Sequence, residues 1–152
     1  MEFSSNFYVI VAEKSTGIGA FELIVARNGI VYPEPGPNMM WNTKYGHMVS
    51  AGGYGMMGSW GMMGGWGGPA YTPPAGPSSQ LTRDQARRIL QTWLNQAFPG
   101  TKAEAGMPFY GYFTFDFERD GKAAGMASVN AFSGQVWYHT WHGTFIQERD
   151  LK

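Results

Sequence analysis

No cysteine occurs among the 152 residues. That absence excludes disulfides, zinc–thiolate sites, iron–sulfur clusters and a cysteine nucleophile. An excess of charge of either sign is also lacking, with 11 basic residues against 11 acidic ones and no run of like charge. A nucleic-acid surface needs a basic stripe to neutralise phosphates, so nucleic acid is not an expected partner. Nowhere does the chain reach the run of about 18 apolar residues that a membrane-crossing helix requires. Met1–Asn6 has no basic-then-apolar signal pattern, yet Phe7–Val11 reads as a core strand with almost nothing before it. The sequence therefore predicts that a leader, anchor or first helix belongs ahead of Met1.

The chain has apolar residues at 43%, aromatics at 16%, and 22 glycines concentrated in its middle. Core-forming and linker-like regions are thus segregated, and the length suits one ordinary domain or two small ones. Phe7–Tyr32 is hairpin-like, Pro33–Ser79 is rich in Gly, Pro, Met and aromatics, Leu81–Phe98 is helical, and Phe109–Phe145 is β-rich. In the helix, Thr82 and Gln85 form a capping box. Ala86, Ile89, Leu90, Trp93, Leu94, Ala97 and Phe98 then make one apolar stripe, and Pro99-Gly100 ends it.

Beyond the helix, Phe113, Phe115 and Phe117 alternate with Thr114, Asp116 and Glu118, the period of a half-buried strand with one solvated face. Asp120-Gly121 is a two-residue hairpin signal. A return strand over Ala123–Asn130 and a third over Gln135–Phe145 complete an antiparallel meander. The first region repeats the pattern at an offset of 105 residues. Phe7, Tyr8 and Ile10 fall on Tyr112, Phe113 and Phe115; Glu13-Lys14 falls on Glu118-Arg119; Ala26, Gly29 and Val31 fall on Ala131, Gly134 and Val136. The expected class is α+β: an amphipathic helix packed on an antiparallel sheet, a second β-hairpin unit, and a connecting segment.

The run Leu81-Thr82-Arg83-Asp84-Gln85-Ala86, the helix ending at Phe98-Pro99-Gly100, the strand before Arg119-Asp120-Gly121-Lys122, and Val129-Asn130-Ala131-Phe132-Ser133-Gly134-Gln135-Val136 together resemble the PepSY family. The motifs cover residues 80–138, within a full copy extending to about 145, and residues 7–33 resemble the β part of a second copy without its helix. The implied organisation is a partial PepSY-like unit over 1–33, a connecting segment over 34–79 and a PepSY-like unit over 80–152. The resemblance implies a small, extracytoplasmic, non-catalytic module that binds, regulates or inhibits a peptidase. It supplies no catalytic residue. The long Met/Trp insert departs from the family pattern.

A three-stranded sheet is not stable by itself unless its apolar face is covered. The first unit has no helix for Tyr8, Ile10, Phe21, Leu23, Val25 and Val31, so the other unit, the central segment or another molecule must cover them. An open sheet edge can also pair with a neighbouring chain, which makes a homo-oligomer or filament an expected state and a protein partner the expected ligand.

The central segment repeats Tyr54-Gly55-Met56-Met57-Gly58-Ser59, then Trp60-Gly61-Met62-Met63-Gly64-Gly65, then Trp66-Gly67. Seven of the ten methionines lie between residues 39 and 63. Thioethers are soft ligands that favour Cu(I) or Ag(I), and neutral imidazole joins them. Met39, Met40, His47, Met48, Met56, Met57, Met62 and Met63 are therefore candidate metal ligands. Trp41, Tyr54, Trp60 and Trp66 are candidate interaction residues, because Met and Trp are also the residues of adaptable contact surfaces. A plain linker folding back over the sheets is the third reading. Pro33–Pro37 and Pro69–Pro77 bracket the segment as stiff shoulders.

Other chemistry is sparse. His139 and His142 lie in a stretch that reads as strand, which sends them to opposite faces as a surface or edge pair. Asp116 and Glu118 read as solvated-face residues. Ser133 lacks the Gly-x-Ser-x-Gly elbow, and Gly17-Ile18-Gly19 lacks a dinucleotide-binding context. The sequence points to a non-enzymatic binding or interaction protein, with soft-metal binding and peptidase inhibition as alternatives.

Overall fold

The computed structural model describes residues 1–46 and 80–149. Its strands are β1 (Glu2–Phe3), β2 (Asn6–Ala12), β3 (Gly19–Ala26), β4 (Val31–Pro33), β5 (Lys102–Ala103), β6 (Met107–Phe109), β7 (Tyr112–Arg119), β8 (Lys122–Asn130), β9 (Val136–Tyr138) and β10 (Phe145–Gln147). Its helices are α1 (Asn38–Trp41) and α2 (Arg83–Ala97). All ten strands belong to one mixed sheet, ordered β10-β1-β2-β3-β6-β7-β8-β9, with β4 on β3 and β5 on β7.

The α+β class expected from the sequence is therefore corrected. The molecule is mostly β, and α2 is the only helix of seven residues or more among the described residues. The two antiparallel units expected from the sequence are joined by a parallel bridge, Gly19 of β3 to Phe109 of β6. Such a junction joins strands distant in sequence, so no local pattern announces it. It requires glycine at position 19, where an added Cβ would sit 2.3 Å from the Phe109 ring.

The two hairpins share a register at the offset of 105. The pairs Tyr8↔Ile24, Val9↔Leu23 and Ile10↔Glu22 in β2–β3 correspond to Phe113↔Val129, Thr114↔Ser128 and Phe115↔Ala127 in β7–β8. Their surroundings differ. Phe113, Phe115, Phe117, Ala127 and Val129 form a buried cluster with Ala86, Leu90 and Leu94 of α2, itself started by a complete Thr82–Gln85 capping box. The matching face of the first hairpin, Tyr8 and Ile24, packs instead with Met126, on the opposite face of β8, and with Phe3. The rear of the second hairpin thus takes the place of a helix.

That stacking overturns the expectation of a solvated face on β7. Thr114 is 4% exposed and Ser128 is fully buried. Asp116 is half-buried. Thr114 and Ser128 face the first hairpin across the interior, where they meet Glu22 and Asn38.

Two hydrogen bonds bring the ends of the central segment together. Thr43 N–H donates to the Tyr110 carbonyl at 3.0 Å, and Leu81 N–H donates to Ala131 at 2.8 Å. Ala131 N–H in turn donates to the Gly111 carbonyl at 2.9 Å. Thr43 and Leu81 are thus both held beside the β6–β7 turn.

Candidate metal centre

Glu34 follows β4 directly, between Pro33 and Pro35, and its N–H donates to the Glu22 carbonyl at 3.0 Å. His139 follows β9, anchored by its N–H to the Met126 carbonyl at 3.0 Å. His142 lies in the turn before β10, where Gly143 has a φ of +80° that a side chain would resist. Each of the three residues is only 3% exposed.

Their functional atoms converge. Glu34 Oε1 lies 3.1 Å from His139 Nδ1 and 3.1 Å from His142 Nε2, and the three ligand atoms lie within 4.8 Å of one another. Zinc bonds of about 2.0–2.1 Å in tetrahedral geometry place neighbouring ligand atoms about 3.3 Å apart. The two separations to the carboxylate are close to that spacing. His139 Nδ1 has no aligned hydrogen-bond partner despite its burial. An orphaned buried nitrogen is costly, and a cation between it and the carboxylate would satisfy both.

The outer ring nitrogens are committed elsewhere. Asn6 Nδ2 donates to the Trp141 carbonyl at 3.0 Å, which turns Asn6 Oδ1 toward His142 Nδ1 at 3.1 Å as an acceptor. With an ion on Nε2, His142 keeps its proton on Nδ1, where Asn6 Oδ1 accepts it. His139 Nε2 lies 2.9 Å from Ser128 Oγ. The rings are also stacked, His139 on Trp141 at 5.0 Å and His142 on Phe3 at 4.5 Å. Metal-binding histidines are held in this way, by hydrogen bonds at the nitrogen away from the ion.

A second buried carboxylate completes the interior. Glu22 Oε1 accepts from Tyr8 at 2.5 Å and Thr114 at 2.7 Å, and Oε2 accepts from Asn38 at 2.7 Å and Tyr112 at 2.9 Å. Four donors fill the acceptor capacity of an ionised carboxylate. Burial, reinforced by the charge of Glu34, nevertheless pushes Glu22 up to about 7. Burial also opposes ionisation of Glu34, but His139 and then His142 outweigh it and bring Glu34 down to about 2. Burial pulls His139 downward, while the charges of Glu34, Glu22 and Asp116 more than compensate and leave it raised. Burial first, then Glu22, raises the Tyr8 and Tyr112 phenols.

None of the residues expected from the sequence is among the three converging ligands. Met39, Met40 and Trp41 form most of α1; Met40 is 56% exposed, and Met39 and Trp41 are half-buried. His47, Met48, Tyr54, Met56, Met57, Trp60, Met62, Met63 and Trp66 lie outside the described residues. His139 and His142 are brought together, contrary to the expectation of opposite faces, because β9 stops at Tyr138 and the chain turns. Gly143 directly after His142 is the sequence signal for that turn, and it takes a positive φ. Glu34 gave none, since its Pro-Glu-Pro setting reads simply as a stiff shoulder.

No helix among the described residues is long and apolar enough to cross a membrane. No protein-family model, curated protein or solved structure matches this chain.

Proposed function

We propose that this protein binds one divalent transition-metal ion, Zn²⁺ foremost, through Glu34 Oε1, His139 Nδ1 and His142 Nε2. The observation that carries the reading is the convergence of two imidazole nitrogens on one buried carboxylate oxygen, at 3.1 Å each. The donor set is two nitrogens and an oxygen, which suits a borderline ion such as Zn²⁺ better than the soft Cu(I) expected from the methionines. When bound, the ion would supply positive charge to the interior and tie β4 to the C-terminal turn.

The role we assign is binding without turnover. All three ligands are buried, whereas two surface hollows among the described residues, about 510 and 770 Å³, are lined by other residues, among them Met1, Ile10 and Arg149 in one and Asp116, Lys122 and Glu148 in the other. The ion thus serves as a clasp inside a non-enzymatic interaction module.

The test is a zinc titration of chelator-stripped protein against a competing chelator, followed by metal analysis of the dialysed complex. One ion per chain is expected, with binding lost in Glu34→Gln and His142→Gln. A stoichiometry near zero, or unchanged affinity in both variants, would overturn the reading.

A further inference from the structure

We propose that Glu22, whose carboxylate makes no hydrogen bond to any ligand side chain, positions His139 for the metal through Thr114 and Ser128. The inference rests on the metal-binding reading above and concerns how that site is prepared.

Thr114 has one hydroxyl proton, and Glu22 Oε1 takes it at 2.7 Å. The 2.9 Å contact between Thr114 and Ser128 must then use the Ser128 proton. Ser128 Oγ also accepts from Asn38 Nδ2 at 2.8 Å, leaving one lone pair for His139 Nε2 at 2.9 Å. With its own proton spent, Ser128 can only accept there. His139 Nε2 therefore carries the proton of the neutral ring, which leaves Nδ1 for the ion beside Glu34. A carboxylate three hydrogen bonds away decides which nitrogen meets the ion. Asn38 reinforces the direction, because its Nδ2 also donates to Glu22 Oε2 at 2.7 Å.

Thr114→Val breaks the relay with little change of shape. The Ser128 proton, released from Thr114, turns toward His139 Nε2 and forces the ring proton onto Nδ1, where it blocks the ligand position. Zinc affinity should fall by roughly 10- to 100-fold, the usual cost of losing an outer partner of a metal ligand. Thr114→Ser, which keeps the hydroxyl, should restore it.

The deciding readout is the tautomer. In ¹⁵N-histidine-labelled, zinc-loaded wild-type protein at pH 8, long-range proton–nitrogen spectra should place the His139 proton on Nε2 and the metal on Nδ1. Metal on Nε2, or a Thr114→Val protein with wild-type affinity and spectrum, overturns the proposal while leaving metal binding intact. A wild-type protein that takes up no zinc removes both readings. If Thr114→Val does not fold, the wild-type spectrum alone decides.

Discussion

Saturating zinc should raise the melting temperature of the chelator-stripped protein by about 16 °C. Glu34 is separated from His142 by 108 positions in the chain, and the unfolded chain keeps only the weak His139/His142 pair. An ion that binds the native state alone, at a free concentration of about 1,000 times its dissociation constant, adds about 4 kcal/mol. At about 4 °C per kcal/mol for a chain of this size, the shift follows. Near-ultraviolet circular dichroism is a suitable monitor, because Trp141 stacks on His139 and reports on the site itself. Glu34→Gln should melt at the same temperature with and without zinc. A wild-type shift below about 2 °C, or an equal shift in Glu34→Gln, would refute the reasoning.

Other expectations concern the frame around the site. Burial first, and Glu148 next, push Asp116 up to about 7. The native state thus keeps a proton that the unfolded chain has released above about 4, so this group's contribution to stability falls as pH rises from about 4 to 7. Asp116→Asn should flatten that part of the decline and gain on the order of 3 kcal/mol at pH 8, read by urea unfolding at pH 4.5 and 8. Leu90→Ala, at a fully buried position of α2, should cost about 2–5 kcal/mol in the same assay. Gly19→Ala should cost about 1–3 kcal/mol by driving a methyl group into the Phe109 ring. Replacing residues 47–79 by a short Gly/Ser linker should preserve zinc uptake, because the Thr43–Tyr110 and Leu81–Ala131 bonds hold both ends at one place. Loss of zinc binding on that replacement would count against the site as described.

The sequence disclosed features whose cause is local. The capping box and apolar stripe specify α2, Asp120-Gly121 specifies the β7–β8 turn, and the offset of 105 anticipates a shared strand register. It did not disclose how the hairpins stack. Alternation along β7 distinguishes two faces but cannot say that the polar one will be buried against another hairpin, so Thr114 reads as solvent-facing. The site was hidden for the same reason. Its members lie in three turns and strand ends, and their convergence depends on the parallel Gly19–Phe109 junction and the early end of β9. The methionines drew attention to soft-ligand chemistry because composition is visible in a linear text, whereas a carboxylate between two prolines is not.

The division of the ligands between the two halves of the chain has a consequence for biosynthesis. During translation Glu34 leaves the ribosome while His139 and His142 are not yet made, so ion capture has to wait for nearly the whole described chain. A product stopped short of His139 would lack both imidazoles. Metal uptake would then report synthesis through His142, and metal retention could separate chains that extend past it from shorter ones in a cell extract.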